Sequence, residues 1–161
     1  DPADLPEERA YCLGLKQEVR DAGLADRVRF TGVVDDVENW MRAADVFLFP
    51  SRREGFGTVM VEAMAAGLPC LVAPIDGIAA TVFQHGEDGV IGAGGAPSAW
   101  AREIAQLLDD PARARAMGDA ARARACDRYS FEVVCDRYEA LYRALLDGRP
   151  PVPVEGGAAA P

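Results

Sequence analysis

The sequence lacks any long apolar run. Nowhere in its 161 residues does an apolar stretch approach the roughly 20 residues that a membrane-spanning helix needs. No signal peptide is visible either, because residues 1–8 are acidic and contain two prolines. These absences predict a cytoplasmic protein without a transmembrane segment. They leave open a peripheral contact of a longer protein with the inner face of the membrane.

Basic charge is also scarce. The chain has 17 Lys and Arg against 26 Asp and Glu, for a formal net charge of −9. Proteins that bind nucleic acid neutralise phosphates with clustered Lys and Arg. The acidic balance therefore argues against nucleic acid as the main partner, although it says little about the fold.

Metal-binding patterns are missing as well. No two of the four cysteines have C-x-x-C spacing, and the single histidine, His85, has no cysteine near it in sequence, so we expect no zinc site. Cys70 lies in an apolar run and is predicted to be a buried core thiol. His85 lies in a glycine-rich turn and is predicted to be a surface residue rather than an acid or base. The remaining cysteines, Cys12, Cys126 and Cys135, are scattered, as in a reduced cytoplasmic protein.

Short apolar runs alternate with helical patterns along the chain. Strands are predicted at 28–31, 46–49, 70–72 and 90–91, and the run at 46–49 reads as a strand covered on both faces. Helices are predicted at 7–22, after Asp35 or Asp36 as N-cap, at about 58–66, and over most of 100–147. This alternation predicts an α/β fold, a Rossmann-like parallel sheet flanked by helices.

The predicted domain looks partial. Four strands are fewer than the about six of a complete doubly wound nucleotide-binding domain, and the chain opens on a helix. We therefore expect residues 1–148 to form part of such a domain. Residues 149–161 are rich in Pro, Gly and Ala and are predicted to be disordered.

The most informative segment is residues 50–69, PSRREGFGTVMVEAMAAGLP. It predicts a polar loop at the carboxyl end of a buried strand, followed by a helix. Ligands of open α/β sheets bind at this edge. Gly55 and Gly57 would allow the backbone to approach a ligand closely, and the N–H groups of the first helical turn favour a phosphate or another anion.

Two glutamates in this segment have alternative interpretations. Glu54 lies in the loop and Glu62 lies just over one turn inside the helix, so both carboxylates could face one cleft and accept hydrogen bonds from sugar hydroxyls. Alternatively, Glu62 is a solvated helix residue and Glu54 merely caps the helix or favours its dipole. The residues alone do not decide between these interpretations.

The segment resembles the signature of the group-1 (family 4) retaining glycosyltransferases. The similarity lies in Glu54 to Gly57 followed by Glu62-Ala63-Met64-Ala65-Ala66-Gly67-Leu68-Pro69. Segments in the family's order support it on both sides: 28–32, 44–51, 85–89 and 130–131. The resemblance covers roughly residues 7–147. It implies the C-terminal, donor-binding lobe of the two-lobed GT-B fold.

The resemblance also implies roles for individual residues. Glu54 would contact hydroxyls of the donor sugar near the reacting carbon, and Glu62 would bind the ribose hydroxyls of the nucleotide. The backbone from Gly55 through Phe56 to Gly57, together with Thr58, would lie close to the sugar and the pyrophosphate. The loop after Gly32 would lie near the base.

The sequence departs from the family's pattern in two places. The family has a Gly-Gly-x-x-Glu segment where this chain reads Asp76-Gly77-Ile78-Ala79-Ala80-Thr81, with one glycine and no glutamate. The family's strand-helix-strand unit with a basic pair for the diphosphate would precede residue 1. We do not transfer that role to Arg52 and Arg53, which are predicted to lie at the loop surface. The arginines of the alanine-rich helix are likewise predicted to form a solvated face rather than a membrane contact: Arg113, Arg115, Arg122 and Arg124.

These observations predict part of a glycosyltransferase. The full-length enzyme would move a hexose-type sugar from a nucleoside-diphosphate sugar to an acceptor hydroxyl. The family resemblance implies retention of configuration and no metal or other cofactor. The N-terminal lobe of the same enzyme would be the partner of this one. The isolated chain is expected to be inactive. Two alternatives stay open: a GT-B epimerase or phosphorylase, and a stand-alone nucleotide-sugar-binding or interaction module.

Overall fold

A computed structural model describes residues 6–92 and 95–150, with the backbone alone for residues 6–8. The chain divides into two compact units, residues 1–35 and residues 36–161. Of the tail predicted to be disordered, only residues 149 and 150 fall within the described part of the chain, so the prediction for 151–161 lies outside it.

The first unit contains one helix, α1 (Pro6–Asp21), close to the predicted range. It ends at the predicted stop, where the Leu24 N–H donates to the Val19 carbonyl at 2.9 Å. The predicted strand at 28–31 is wrong, because these residues have no regular secondary structure. An apolar, β-branched run becomes a strand only where a neighbouring strand pairs with its backbone. The described residues of the first unit contain no strand that could pair with this run.

The second unit alternates strands and helices and then continues as helices. Its elements, in order, are α2 (Val37–Arg42), β1 (Phe47–Phe49), α3 (Thr58–Ala65), β2 (Cys70–Val72), α4 (Ala79–Val82), β3 (Val90–Ile91), α5 (Pro97–Asp109), α6 (Pro111–Tyr129) and α7 (Phe131–Leu146). Within the ranges described, no helix combines the length and the apolarity needed to cross a membrane.

The N-terminus of α2 differs from the expected cap. Asp36 occupies the N-cap position, but its side chain makes no capping hydrogen bond. Its Oδ1 instead accepts a hydrogen bond from the indole Nε1 of Trp40 at 3.1 Å. A carboxylate one helical turn before a tryptophan can accept a hydrogen bond from the helix backbone or from the indole. Here it accepts from the indole.

The described strands form a parallel sheet in the order β1-β2-β3. In the central strand β2 every side chain is buried. Cys70 and Val72 pack into a cluster with α3, whereas Leu71 points to the opposite face, into a cluster with Leu107 of α5. This alternation is what a strand between two helical layers requires. The predicted parallel α/β architecture is therefore confirmed.

The edge strand β1 corrects one expectation. The run at 46–49 was expected to be covered on both faces, but Leu48 is 42% exposed. Phe47 and Phe49 pack against the core from the other face. A continuous apolar run cannot reveal strand order, and β1 lies at the edge of the described sheet, with one face partly uncovered.

Helix α6 crosses α3 at close range. A Cβ atom on Gly118 would lie 2.1 Å from the Gly67 carbonyl oxygen, so only glycine fits at this crossing. The alanine-rich face of α6 is consequently core rather than surface, because Ala121 and Ala125 are buried against α3 and its neighbours. Small residues in α6 and in the turn after α3 allow the two backbones to approach this closely.

Helix α7 carries the predicted apolar stripe, but most of the stripe is exposed. Phe131 is 80% exposed, and Tyr138, Tyr142 and Leu145 are each more than half exposed. Ala144 is the buried residue of this helix. The periodicity of α7 therefore predicted its helical form, whereas the described chain covers little of its apolar face.

Candidate functional site

The signature segment lies where the sequence predicted it. Strand β1 ends at Phe49, a loop runs from Pro50 to Gly57, and α3 begins at Thr58. The loop therefore leaves the carboxyl end of a parallel strand and leads directly into a helix N-terminus. This is the edge at which open α/β sheets bind ligands.

Gly57 determines how the loop enters the helix. It is the N-cap of α3 and has left-handed backbone angles, φ 77° and ψ 56°, which are costly for residues with a Cβ atom. A Cβ atom there would also lie 2.6 Å from Met60 Cε and 3.6 Å from Phe49 Cε1. The Gly57 carbonyl accepts a hydrogen bond from the Met60 N–H at 2.9 Å. Glycine is thus required by conformation, and any larger residue would also displace the Met60 methyl group.

The N-terminus of α3 has no side-chain cap and no acidic residue in its first turn. Such an end carries a partial positive charge and N–H groups oriented away from the helix. The electrostatics of this position favour the binding of an anion beside the loop.

Glu54 is exposed in the loop, and its Oε1 lies 2.8 Å from the Ser51 hydroxyl. The same hydroxyl lies 3.1 Å from the Arg53 carbonyl oxygen, and its single proton has the charged carboxylate as the closer acceptor. The interpretation of Glu54 as a capping residue is wrong, since α3 has no side-chain cap. The hydrogen bond to Ser51 instead holds the Glu54 carboxylate within the loop.

Glu62 lies on the exposed face of α3. Thr58 is four residues earlier and exposed on the same face, while Met60, Ala63 and Met64 are buried on the other. Across the described ranges, the Glu62 carboxylate has no hydrogen-bond or ion-pair partner. This carboxylate is therefore available to a ligand. Its exposure fits both a ligand-binding residue and a solvated helix residue.

Phe56 makes a contact that the sequence did not predict. Its ring packs edge to face on the ring of Tyr129, with centroids 5.8 Å apart and an interplanar angle of 65°. Tyr129 is the last residue of α6, and its hydroxyl lies 3.4 Å from the Thr81 carbonyl oxygen of α4. Tyr129 directly precedes the Ser130-Phe131 pair of the family pattern, which was the only signal that pointed to this position.

Arg124 of α6 holds the segment after β2, residues 73–82, through hydrogen bonds at its C-terminal end. The Arg124 Nε donates to the Val82 carbonyl oxygen at 2.7 Å, and Nη1 donates to Gln84 Oε1 at 2.7 Å. Arg124 also lies 3.4 Å from Asp88 Oδ2, and the side chains of Arg124 and Asp88 are 12% and 4% exposed. The prediction of a solvated face is therefore wrong for Arg124. The other three arginines of that set, Arg113, Arg115 and Arg122, are exposed as predicted.

Asp88 is a buried carboxyl in the predicted turn. Burial raises the pKa of Asp88 above its usual value, although the hydrogen bond from the Gln84 N–H and the charge of Arg124 act in the opposite direction. The Gln84 N–H lies 2.6 Å from Asp88 Oδ1. The role of Asp88 is structural, since its carboxyl closes the turn and neutralises the arginine that holds α4.

The remaining predicted residues have simple positions. His85 is exposed, as predicted, and its Nδ1 accepts a hydrogen bond from the Ile91 N–H at 3.0 Å, which ties the turn to β3. Arg52 and Arg53 are exposed on the loop, also as predicted. Gly32 belongs to the first compact unit, so its place near the base stays a prediction.

Cys70 is buried, as predicted, and burial raises the pKa of its thiol to about 12. Its Sγ lies 3.3 Å from the Leu68 carbonyl oxygen, a weak hydrogen bond within the core. All four cysteines are free. In the described part of the chain, no group of three or more His, Cys, Asp or Glu side chains is arranged to hold a metal ion.

Comparison with known proteins supplies the family. The model of the glycosyl transferases group 1 family matches residues 11–124. The chain belongs to this family. Its matched region includes the loop after β1, α3, the turn before β3 and most of α6.

Relatives with known names extend this result. The chain is 40% identical over 107 residues to D-inositol 3-phosphate glycosyltransferase of Streptomyces avermitilis, covering 65% of this chain and 23% of that protein. It is also 40% identical over 112 residues to the lipopolysaccharide core biosynthesis mannosyltransferase LpcC of Rhizobium leguminosarum, covering 70% and 32%. The chain thus spans well under half of the length of these curated relatives.

Solved structures support the fold. Anabaena HepE in complex with UDP matches with a TM-score of 0.78 and 30% identity, covering 89% of this chain and 38% of that one. Sucrose-phosphate synthase from Thermosynechococcus elongatus matches with a TM-score of 0.79 and 34% identity, covering 92% and 37%. The chain is accordingly part of a GT-B glycosyltransferase lobe.

Proposed function

We propose that the protein containing this chain transfers a sugar from a nucleoside-diphosphate sugar to an acceptor hydroxyl, with retention of configuration. The chain would form part of the donor-binding lobe. The observation that carries this proposal is the loop of residues 50–57, which joins the carboxyl end of β1 to the uncapped N-terminus of α3.

The arrangement suits a nucleotide sugar in two ways. The N-terminus of α3 would stabilise the negative charge of the diphosphate, in the ground state and as the nucleotide leaves. The exposed carboxylates of Glu54 and Glu62 would accept hydrogen bonds from sugar and ribose hydroxyls, respectively. HepE, a structural neighbour at 30% identity, was solved with UDP-glucose, which supports this class of donor.

Catalysis would rest on positioning and electrostatics. We propose no covalent nucleophile among the residues of this loop, and no metal or other cofactor. Holding the donor in a reactive geometry and stabilising the departing diphosphate would account for the role of this lobe. The chain would act together with the N-terminal lobe of the same enzyme, in the cytoplasm or at the inner face of the membrane.

The test is Glu62→Ala in the full-length protein. A ribose contact exists in both the ground and the transition state, so its loss should raise the donor KM and leave kcat nearly unchanged. Hydrogen bonds to a charged carboxylate contribute about 1.5–3 kcal/mol each, which corresponds to a rise in KM of about tenfold or more. Steady-state kinetics with varied donor concentration measures this.

Glu132→Ala is the matched control, because Glu132 is an exposed helical glutamate outside the loop, in α7. An unchanged donor KM in Glu62→Ala would remove this residue from the site. Product analysis of the wild-type reaction separates transfer from epimerisation and phosphorolysis. Donor binding without any turnover of donor would instead favour a binding module.

A further inference from the structure

Tyr129 connects two loops at the same edge of the sheet. Its ring contacts Phe56 in the loop after β1, and its hydroxyl lies 3.4 Å from the Thr81 carbonyl oxygen in the segment after β2. β1 and β2 are adjacent parallel strands, so both segments leave the sheet at its carboxyl edge. One side chain from the end of α6 therefore reaches both.

The contact between Tyr129 and Phe56 can fix the glycine-rich part of the loop. Phe56 lies between Gly55 and Gly57, and neither glycine has a side chain that could hold the backbone. A Cβ atom on Gly55 would meet nothing within 4 Å, so this part of the loop has open space around it. Glycine loses the most conformational entropy on ordering. The Phe56 ring is consequently the side chain through which the three-residue segment 55–57 can be fixed.

Tyr129 is itself well anchored. It is partly buried and ends α6, and the cap of the next helix follows at once, because the Ser130 hydroxyl accepts a hydrogen bond from the Val133 N–H. One turn earlier, Ala125 is buried and Arg124 is bonded to Val82 and Gln84. The ring of Tyr129 thus projects from a fixed backbone, whereas Phe56 is 44% exposed on a loop. The partner on the anchored end of α6 therefore determines the position of the partner on the loop.

We infer that Tyr129 is a positioning residue of the donor site: its ring holds Phe56 and thereby orders the backbone of residues 55–57 for the nucleotide sugar. This inference rests on the proposed function. The ring is the operative group, since an O···O distance of 3.4 Å gives the hydroxyl only a weak hydrogen bond. Tyr129 does not touch the donor in this proposal, and it acts through Phe56.

The first experiment compares Tyr129→Leu with Tyr129→Phe in the full-length protein. Tyr129→Leu removes the aromatic contact and should raise the donor KM about 2- to 10-fold, with kcat within about twofold of wild type. Tyr129→Phe keeps the ring and should restore a near-normal donor KM. Tyr138→Leu removes an exposed tyrosine of α7 that packs on Tyr142, and serves as the matched control.

A second measurement is independent of donor turnover. Amide hydrogen exchange of the peptide covering residues 51–58 should be faster in Tyr129→Leu than in wild type, and exchange in α5 should be unchanged. The α5 peptide reports whether the variant is folded. If the wild-type protein binds no nucleotide sugar, the proposed function fails, and the exchange experiment still tests whether Tyr129 orders the loop.

A double-mutant cycle tests whether Tyr129 affects the donor KM through Phe56. In a Phe56→Leu background, Tyr129→Leu should raise the donor KM no further, since the contact is already lost. Additive effects would overturn the inference. It would equally be overturned by a wild-type donor KM in Tyr129→Leu, by an impairment of Tyr129→Phe as large as that of Tyr129→Leu, or by unchanged exchange at residues 51–58.

Discussion

At the scale of single residues, the site depends on the backbone conformation of Gly57 and on the charge of Glu54. Gly57 is needed because its backbone is left-handed, and the Met60 methyl group lies close to where a Cβ atom would stand. Glu54 is exposed and bonded to Ser51, so its carboxylate is oriented without being neutralised. The loop therefore requires Gly57 for its conformation and Glu54 for its charge.

Glu54→Gln tests the role of that charge in the full-length enzyme. If Glu54 contacts the sugar near the reacting carbon, its interaction should strengthen as positive charge develops there. Losing a preorganised electrostatic contact typically lowers turnover about 10²–10³-fold, so kcat should fall strongly and donor KM should change less. Steady-state kinetics and thermal melting are measured together.

If Glu54 only favours the dipole of α3, the same change should cost about 0.3–1 kcal/mol of stability and leave turnover nearly intact. A lowered melting temperature with normal turnover would therefore refute the catalytic role. A large loss of kcat at an unchanged melting temperature would support it.

The four thiols offer a separate test at this scale. Burial raises the pKa of Cys70 to about 12, whereas Cys12, Cys126 and Cys135 are exposed. The thiolate is the reactive form. A disulfide reagent at pH 8 should therefore modify three thiols quickly in the folded 161-residue chain and the fourth only after denaturant is added. Cys70→Ala should remove the slow reaction alone, and four fast thiols in the wild type would contradict the buried position.

At the scale of elements, α6 does the most to organise the second unit. It passes close to the turn after α3 at Gly118, buries Ala121 and Ala125, and holds the segment after β2 through Arg124. Its C-terminal residue Tyr129 then reaches the loop after β1. One helix thus supports both segments that leave the carboxyl edge of β1 and β2.

Arg124→Ala should destabilise this arrangement in a pH-dependent way. At any pH it removes the hydrogen bonds to Val82 and Gln84. At neutral pH it also leaves the buried Asp88 carboxylate without its cation, for a total loss of about 1–3 kcal/mol. The folded-state pKa of Asp88 is already raised, so this carboxyl contributes stability while protonated and loses it as the pH rises through that pKa.

Removing Arg124 raises the pKa of Asp88 further, so the difference from wild type should grow from about pH 4, near the unfolded pKa of Asp, towards neutral pH. Urea unfolding at several pH values measures it. Arg115→Ala, which changes an exposed arginine of the same helix, is the control. A stability loss that is equal at pH 4 and pH 8 would show that the ion pair with Asp88 contributes nothing.

At the scale of the whole molecule, the chain matches only part of the length of its relatives. It spans between 22% and 25% of the length of three related D-inositol 3-phosphate glycosyltransferases. The apolar side chains of α7 are largely exposed within the part of the chain that the structure describes. Exposed apolar patches of this kind commonly mark interaction surfaces.

We therefore expect the isolated 161-residue chain to transfer no sugar. Catalysis by positioning requires groups that hold the acceptor as well as the donor, and the proposed roles of this chain concern the donor alone. The measurement is transfer from a nucleotide sugar by the purified chain, with the full-length protein assayed in parallel. Measurable transfer by the purified chain, with contaminating enzyme excluded, would contradict the proposed division of roles.

Much of the fold followed from local pattern. The positions of β2 and β3, the start of α3 at Thr58 and the helical period of α7 agree with predictions from residue spacing and turn residues. The strand at 28–31 did not form, and Leu48 of β1 is partly exposed. In both cases the missing information was which backbone or side chains lie alongside, and periodicity within one segment does not contain it.

The amino-acid sequence by itself determined the family, the α/β alternation and the loop that carries Glu54 and Gly57, because these depend on residue types at short spacings. Only the tertiary structure decided that Arg124 is buried against Asp88 and that Tyr129 packs on Phe56. These pairs are separated by tens of residues. Their contacts arise from how closely α6 packs on α3 and on the segments beside it, and this distance depends on the small residues at the helix crossing.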